Sequence, residues 1–259
     1  MTYGWSILIV AVVLGALSFL GVFNPMTFTP KATAGGCQVV KNSELGISNL
    51  EGSCNNQVPQ YVAQFNNRSR SYVDIPYSTS INNMASATAS VWVKISGGTL
   101  ILSIAGTGSS AAQIYYSGGD IVIQGAYSTL YINRHPYSSG AFQPTLNQWY
   151  NIIVIFSSPP HTSYDSQIGT QCNGLGGTAC NDYFNGVISD VQIYNTSLSQ
   201  NEVTALYDEG IGGAPIDLQN LVGWWPLNGN ADDYSGNNNN GVQTNVVFSS
   251  SWISSYTAP

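Results

Sequence analysis

Between Gln60 and Tyr194 the chain repeats one local pattern: short runs rich in Val, Ile, Tyr and Trp, broken about every ten residues by clusters of Gly, Ser and Asn. Such runs are too short for ordinary helices, and β-branched and aromatic side chains suit a pleated, half-buried surface. Strands are therefore expected at Gln60–Phe65, Tyr72–Ile75, Ala87–Ile95, Thr99–Ala105, Ala112–Tyr116, Ile121–Gln124, Thr129–Ile132, Trp149–Ser157 and Tyr183–Tyr194. Many short strands with turn residues between them predict an all-β sandwich. One segment reads as helix, Ser199–Tyr207: Ser199 and Glu202 stand in capping-box spacing, Val203, Leu206 and Tyr207 share a face, and Gly210 closes it.

The N-terminus has a different character. Tyr3–Phe23 carries no charge, is apolar on every helical face, and as a helix would span roughly 30 Å, the thickness of a bilayer core. Asn24-Pro25 would end it, because the α conformation is disfavoured before proline. The apolar run is longer than the core of a cleaved secretory signal, and no basic segment precedes it. The expected organisation is a hydrophobic helix over 1–24, a linker over 25–36 and a sandwich over 37–259.

Charged residues make up only 7% of the chain, and the six Lys and Arg never cluster, so nucleic acid is excluded as a partner. The four cysteines form two local pairs, Cys37 with Cys54 and Cys172 with Cys180. No CxxC spacing is present and both histidines are far from any cysteine, which argues against zinc and for two short-loop disulfides. Asn67-Arg68-Ser69 and Asn195-Thr196-Ser197 are glycosylation sequons, consistent with the same oxidising exterior compartment.

Catalytic patterns are lacking. Glu44, Glu51, Glu202 and Glu209 fall in expected loops or on the helix, and the adjacent acids Asp232 and Asp233 lie in an Asn-rich loop, not on one strand as a glycosidase pair would. No GxSxG occurs, and His135 and His161 sit beside prolines without a neighbouring nucleophile motif. Tyr115, Tyr116, Tyr127, Tyr131 and Tyr137 could stack on sugar, although tyrosine at alternate strand positions is ordinary sandwich packing. A non-enzymatic protein is expected.

Two resemblances sharpen this. MTYGWSILIVAVVLGALSFLGVF resembles the N-terminal helix of archaeal type IV pilins, which rests in the bilayer before joining the core of a filament. That resemblance implies self-assembly into a helical homopolymer, with Trp5, Ile9, Val13, Leu17 and Leu20 on the assembly helix. The pilin family's leader peptide is not visible ahead of it. FNNRSRSYVDIPYSTSI, ASVWVKI, LNQWYNIIVIF and FNGVISDVQIYNTSLSQNEVTALY resemble, in that order, strands and the terminal helix of the laminin-G-like, concanavalin-type sandwich family.

The ribbon Leu221–Phe248 is similar to that family's opening strands, yet it follows the final helix. It is expected to close the same sandwich as a circular permutation, or else to fill the slot of a neighbouring subunit. Asp233-Tyr234-Ser235-Gly236-Asn237 offers hard oxygen donors in a tight loop. In the family such a loop can share a calcium ion with an acid on the final strand, which implies Asp190, with Asn230, Asp232, Asp233 and Asn237 completing the set as a structural staple; a self-capping Asx turn is the other reading. The combined expectation is a surface filament subunit with an outward, adhesive sandwich. The alternative is a membrane-anchored, carbohydrate-binding module that does not assemble.

Overall fold

The computed structural model describes residues 37–42, 47–52, 54, 58–105, 112–137, 142–159, 161–172, 179–253 and 256–259. In chain order the strands are β1 Gln38–Asn42, β2 Ile47–Glu51, β3 Val62–Phe65, β4 Tyr72–Ile75, β5 Ala87–Gly98, β6 Leu100–Ile104, β7 Ala112–Ser117, β8 Asp120–Gln124, β9 Ala126–Ile132, β10 His135–Tyr137, β11 Trp149–Ser158, β12 Ser166–Ile168, β13 Gln171–Cys172, β14 Cys180–Asn181, β15 Phe184–Tyr194, β16 Leu221–Trp225, β17 Val242–Thr244 and β18 Val247–Ser249. The helices are α1 Thr79–Asn82 and α2 Gln200–Asp208.

One element of the expected fold class is corrected. That class joined a hydrophobic N-terminal helix to the sandwich, whereas the described residues are mostly sheet with two short helices, none long and apolar enough to cross a membrane. The longer, α2, has nine residues and spans about 14 Å, half a bilayer core. Segment 1–36, including Trp5, Ile9, Val13, Leu17 and Leu20, lies outside the described residues, as does Glu44.

Two sheets face each other. The larger runs β10-β9-β11-β5-β15-β3-β18, with β16 also on β15, and the smaller runs β17-β4-β12-β6-β7-β8. Alternate residues point between the sheets, and Val91, Val93, Ile152, Val154, Phe156, Ile188 and Trp225 meet Val73, Ile75, Leu102, Ile104, Ile114 and Ile168 in one core.

The outer face of the large sheet is also covered. α2 begins with the expected capping box between Ser199 and Glu202, and its buried Val203 and Leu206 pack on Ile153, Ile155, Tyr194 and Trp224. Beside them Trp92, Trp149 and Trp252 form a third cluster, in which Trp92 stacks on Tyr207 at 5.6 Å and Trp149 meets Trp252 edge-on at 6.0 Å.

The C-terminal ribbon pairs with its own chain at three places: β16 on β15, β17 on β4 and β18 on β3. β17 thus extends the small sheet and β18 the large one, so that the ribbon bridges one side of the sandwich. Along one flank of β15, residues 186–188 pair with β3 and residues 191–194 with β16. Asp190, at φ +48°, sits where one partner strand gives way to the other. Cys37–Cys54 and Cys172–Cys180 are disulfide-bonded, the second across directly opposed residues of β13 and β14.

Candidate functional site

β3, β15 and the turn before β18 enclose a groove of about 400 Å³ near the end of the large sheet. That volume falls within the usual range for small-ligand pockets. Its polar lining is Gln64, Asn66, Ser69, Ser71, Ser96, Asn185 and Asn245; Phe65, Val187 and Val247 supply the apolar part. Register explains the assembly: Gln64 lies opposite Val187 on one side and Val247 on the other, so one amide is flanked by two aliphatic side chains.

The groove walls are held by hydrogen bonds. Asn245 Nδ2 donates to the Ser69 carbonyl at 2.8 Å, and Ser71 Oγ donates to the Asn245 carbonyl at 2.8 Å. Asn66 Oδ1 accepts from the Arg68 N–H at 2.9 Å, fixing the turn that carries the sequon residue Asn67, which is exposed. Gly186 is required where β15 crosses this site: its φ is +155°, and a Cβ there would stand 2.3 Å from the Lys94 carbonyl oxygen. Among the described residues no charged side chain lines the groove, and the donors and acceptors there are amides and hydroxyls.

The expected calcium residues occupy a different place, and they are engaged separately. Asp233 Oδ1 accepts from the N–H groups of Trp224 (3.0 Å) and Ser235 (2.9 Å), while its Oδ2 accepts from Ser235 Oγ (2.9 Å) and the Asn239 N–H (2.8 Å). Asn230 Nδ2 donates to Asp232 Oδ2 at 2.8 Å. Asn237 Nδ2 donates to the carbonyls of Leu221 and Val222, and its Oδ1 accepts from the Lys41 ammonium at 3.1 Å. Lys41 also donates to the Leu221 carbonyl at 2.7 Å, so β1 brings a cation of its own to this loop. Burial pulls the Lys41 pKa down, and the charge of Asp233 pulls it up.

Asp190 is buried on β15. Its Oδ1 accepts from the Trp224 indole N–H at 2.8 Å, and Gln192 Nε2 lies 3.0 Å from both of its oxygens. Burial pushes the Asp190 carboxyl up to about 7 and the charge of Glu209 adds to this, against the hydrogen bonds from Gln192 and Trp224 that pull it down. Among the described residues, no group of three or more His, Cys, Asp or Glu could hold a metal ion. Asp233 caps an Asx turn, the other arrangement the sequence allowed for this loop, while Asp190 bonds to Trp224 and Gln192.

The tyrosines do not share a face. Tyr131 is buried under α2, Tyr116 packs partly against the main core, and Tyr137 meets Phe142 edge-on at 5.5 Å, leaving Tyr127 exposed. His135 and His161 are exposed; His161 Nδ1 lies 3.0 Å from Asn83 Oδ1. Asn195 is exposed in the bend after β15.

One constellation escaped the sequence reading. Asp74 on β4 and Asp165 just before β12 are buried and hydrogen-bond each other, although 91 residues separate them. Carboxyls in direct contact leave no space for a sugar between them, so the pair does not supply the spaced acids of a glycoside hydrolase.

No protein-family model and no characterised protein matches the sequence. Among solved structures, the chain is similar to a protein from Bacteroides ovatus described as carbohydrate-binding, at 13% identity and a TM-score of 0.48, over 78% of this chain and 63% of that one. It is also similar to the heptameric SAP-like pentraxin of Limulus polyphemus, at 15% identity and a TM-score of 0.40, over 62% of this chain and 86% of that one. The chain thus spans less than two thirds of the length of the Bacteroides protein. At these scores the ligands of the two proteins remain properties of those proteins.

Proposed function

We propose that the chain is an extracellular, non-catalytic, lectin-like protein that binds neutral glycan in the groove between β3, β15 and β18. The observation that carries this reading is the uncharged lining: Gln64, Asn66, Asn185 and Asn245 present amides, Ser69 and Ser96 present hydroxyls, and Val187 and Val247 provide an apolar floor. A sugar displays paired hydroxyls that both donate and accept, above an apolar ring face. Amides answer the hydroxyls with both acceptor and donor groups, even where one atom is tied to the groove wall as in Asn66 and Asn245, and aliphatic side chains cover the ring face. Two disulfides support placement outside the cell, where oxidised cysteines persist.

The filament reading rested on residues outside the described ones, and no observation on the sandwich favours it. A glycan array probed with the full chain tests the proposal. Binding to neutral oligosaccharides is expected, with affinity reduced about tenfold by Asn185→Ala or Gln64→Ala, the loss of roughly one well-made hydrogen bond. Both side chains lie outside the core, so the variants are expected to melt with the wild type. Absence of binding across neutral glycans, or binding untouched by either change, would sink it.

A further inference from the structure

The sequon Asn67-Arg68-Ser69 lies in the turn between β3 and β4, on the rim of the groove. Asn66 and Ser69, on either side of Asn67, both line the groove, so the Asn67 Cα stands about 4 Å from that of a wall residue. Asn67 itself is exposed and outside the lining. A group attached there starts in solvent and has the mouth of the groove beside it.

Hydrogen bonds fix this attachment point. Asn66 Oδ1 accepts from the N–H groups of Arg68 (2.9 Å) and Ser69 (3.4 Å), and the Ser71 N–H donates to the Asn66 carbonyl at 3.1 Å. The Ser69 carbonyl accepts from Asn245 Nδ2, which ties the turn to the one before β18. The second sequon is placed differently. Asn195 is exposed in the bend after β15, and none of Asn195, Thr196 and Ser197 lines the groove. Gly186 does, and β15 carries the chain about 25 Å from there to Asn195 at the usual rise per residue.

Resting on the glycan-binding reading of the groove, we propose that Asn67 carries an N-linked glycan whose neutral core sugars occupy the groove of the same chain and compete with external glycan. The attachment is a glycosyl transfer from a lipid-linked sugar phosphate. Asn67 Nδ2 forms a bond to the anomeric carbon and gives up one proton, while the bond from that carbon to the donor phosphate breaks and the phosphate leaves with the electron pair. A ligand tethered by a short flexible link acts at a concentration on the order of millimolar. External glycan of equal intrinsic affinity must reach a similar concentration to displace it.

The test uses the full chain with its disulfides, made in a eukaryotic cell whose N-linked glycans are neutral; the same glycan, released enzymatically, is the probe. Peptide mass spectrometry is expected to find Asn67 occupied. With an effective concentration of about 1 mM and an intrinsic dissociation constant of about 0.1 mM, Asn67→Gln is expected to bind the probe about tenfold more tightly than the glycosylated chain. Asn195→Gln is expected to bind as the glycosylated chain does, and adding Asn185→Ala to Asn67→Gln to remove most of the gain. Asn67 sits on an exposed turn at a negative φ, so Asn67→Gln is expected to melt with the wild type. An unmodified Asn67, a probe that Asn67→Gln does not bind, or equal affinity in Asn67→Gln and the glycosylated chain would overturn the proposal. Each of these leaves the groove open to other neutral glycans, whereas absence of binding by Asn67→Gln across a whole neutral array removes the groove reading and the tethered ligand with it.

Discussion

The indole N–H of Trp224 donates to the buried carboxyl of Asp190 at 2.8 Å, and this bond ties the C-terminal ribbon to β15 of the large sheet. Asp190 stands at the point on β15 where pairing passes from β3 to β16, with its own N–H donating to the Pro226 carbonyl at 3.2 Å. Gln192 and Tyr194 continue the chain of contacts, the Tyr194 hydroxyl donating to Gln192 Oε1 at 2.5 Å. The pairing of β16 with β15 therefore includes a buried titratable group.

That group makes stability depend on pH in an unusual direction. The carboxyl of Asp190 is raised from 3.8 to about 7 in the folded chain, so between these values the native state holds a proton that the unfolded state has released. The stabilisation is fully present below about pH 4 and disappears as pH rises through about 7, with an upper size on the order of 4 kcal/mol. Asp74 is also raised and acts with the same sign. Thermal melts across pH 5 to 8 are expected to show stability falling toward pH 8, and Asp190→Asn to flatten most of the slope. Asparagine tolerates the positive φ at this position. A slope unchanged in Asp190→Asn would refute the assignment.

Trp224→Phe separates the hydrogen bond from the packing. The ring still fills part of the cluster with Leu198, Val203 and Leu206, but the buried carboxyl loses a donor. The bond component is expected to cost about 1–3 kcal/mol at pH 8, where Asp190 is charged, and less at pH 5. The difference between the two pH values in denaturant melts is diagnostic, because lost packing is the same at both.

The Cys37–Cys54 bridge holds the hairpin that brings Val39 and Lys41 to the ribbon; the Val39 N–H donates to the Tyr234 carbonyl at 2.8 Å. Closing a loop over a separation of 17 residues contributes about 3 kcal/mol by loop entropy. Cys37→Ser with Cys54→Ser is therefore expected to lower the melting temperature by roughly 6–12 °C. A double variant that melts with the wild type would show that the hairpin contributes little to closure.

Local chemistry made much of this fold legible. Tyr72–Ile75 was expected and found, Phe184–Tyr194 began one residue later than expected, and the Ser199–Glu202 capping box formed because both partners lie within one turn. β1, β2, β10 and β12 were not expected, since each has at most five residues with weak alternation, and their pairing comes from tertiary contact. The ribbon was recognised as two strands, but its three pairing partners depend on long-range register.

Sites were harder to read than strands. Sequence proximity groups Asp232, Asp233 and Asn237, but only the fold shows which atoms two of them engage: Asp233 accepts from Ser235 and Asn239, and Asn237 accepts from Lys41. Asp74 and Asp165 were invisible as a pair because only the register of β4 against β12 joins them. Gln64, Asn185 and Asn245 likewise come from three distant segments, and no spacing rule links them.

The most direct test of the glycan-binding account is the side-chain amide NMR spectrum of the full chain titrated with neutral oligosaccharide. Saturable shifts confined to the amides of Gln64, Asn66, Asn185 and Asn245 are the expected result. Unmoved groove amides, alongside shifts elsewhere or nowhere, would contradict it.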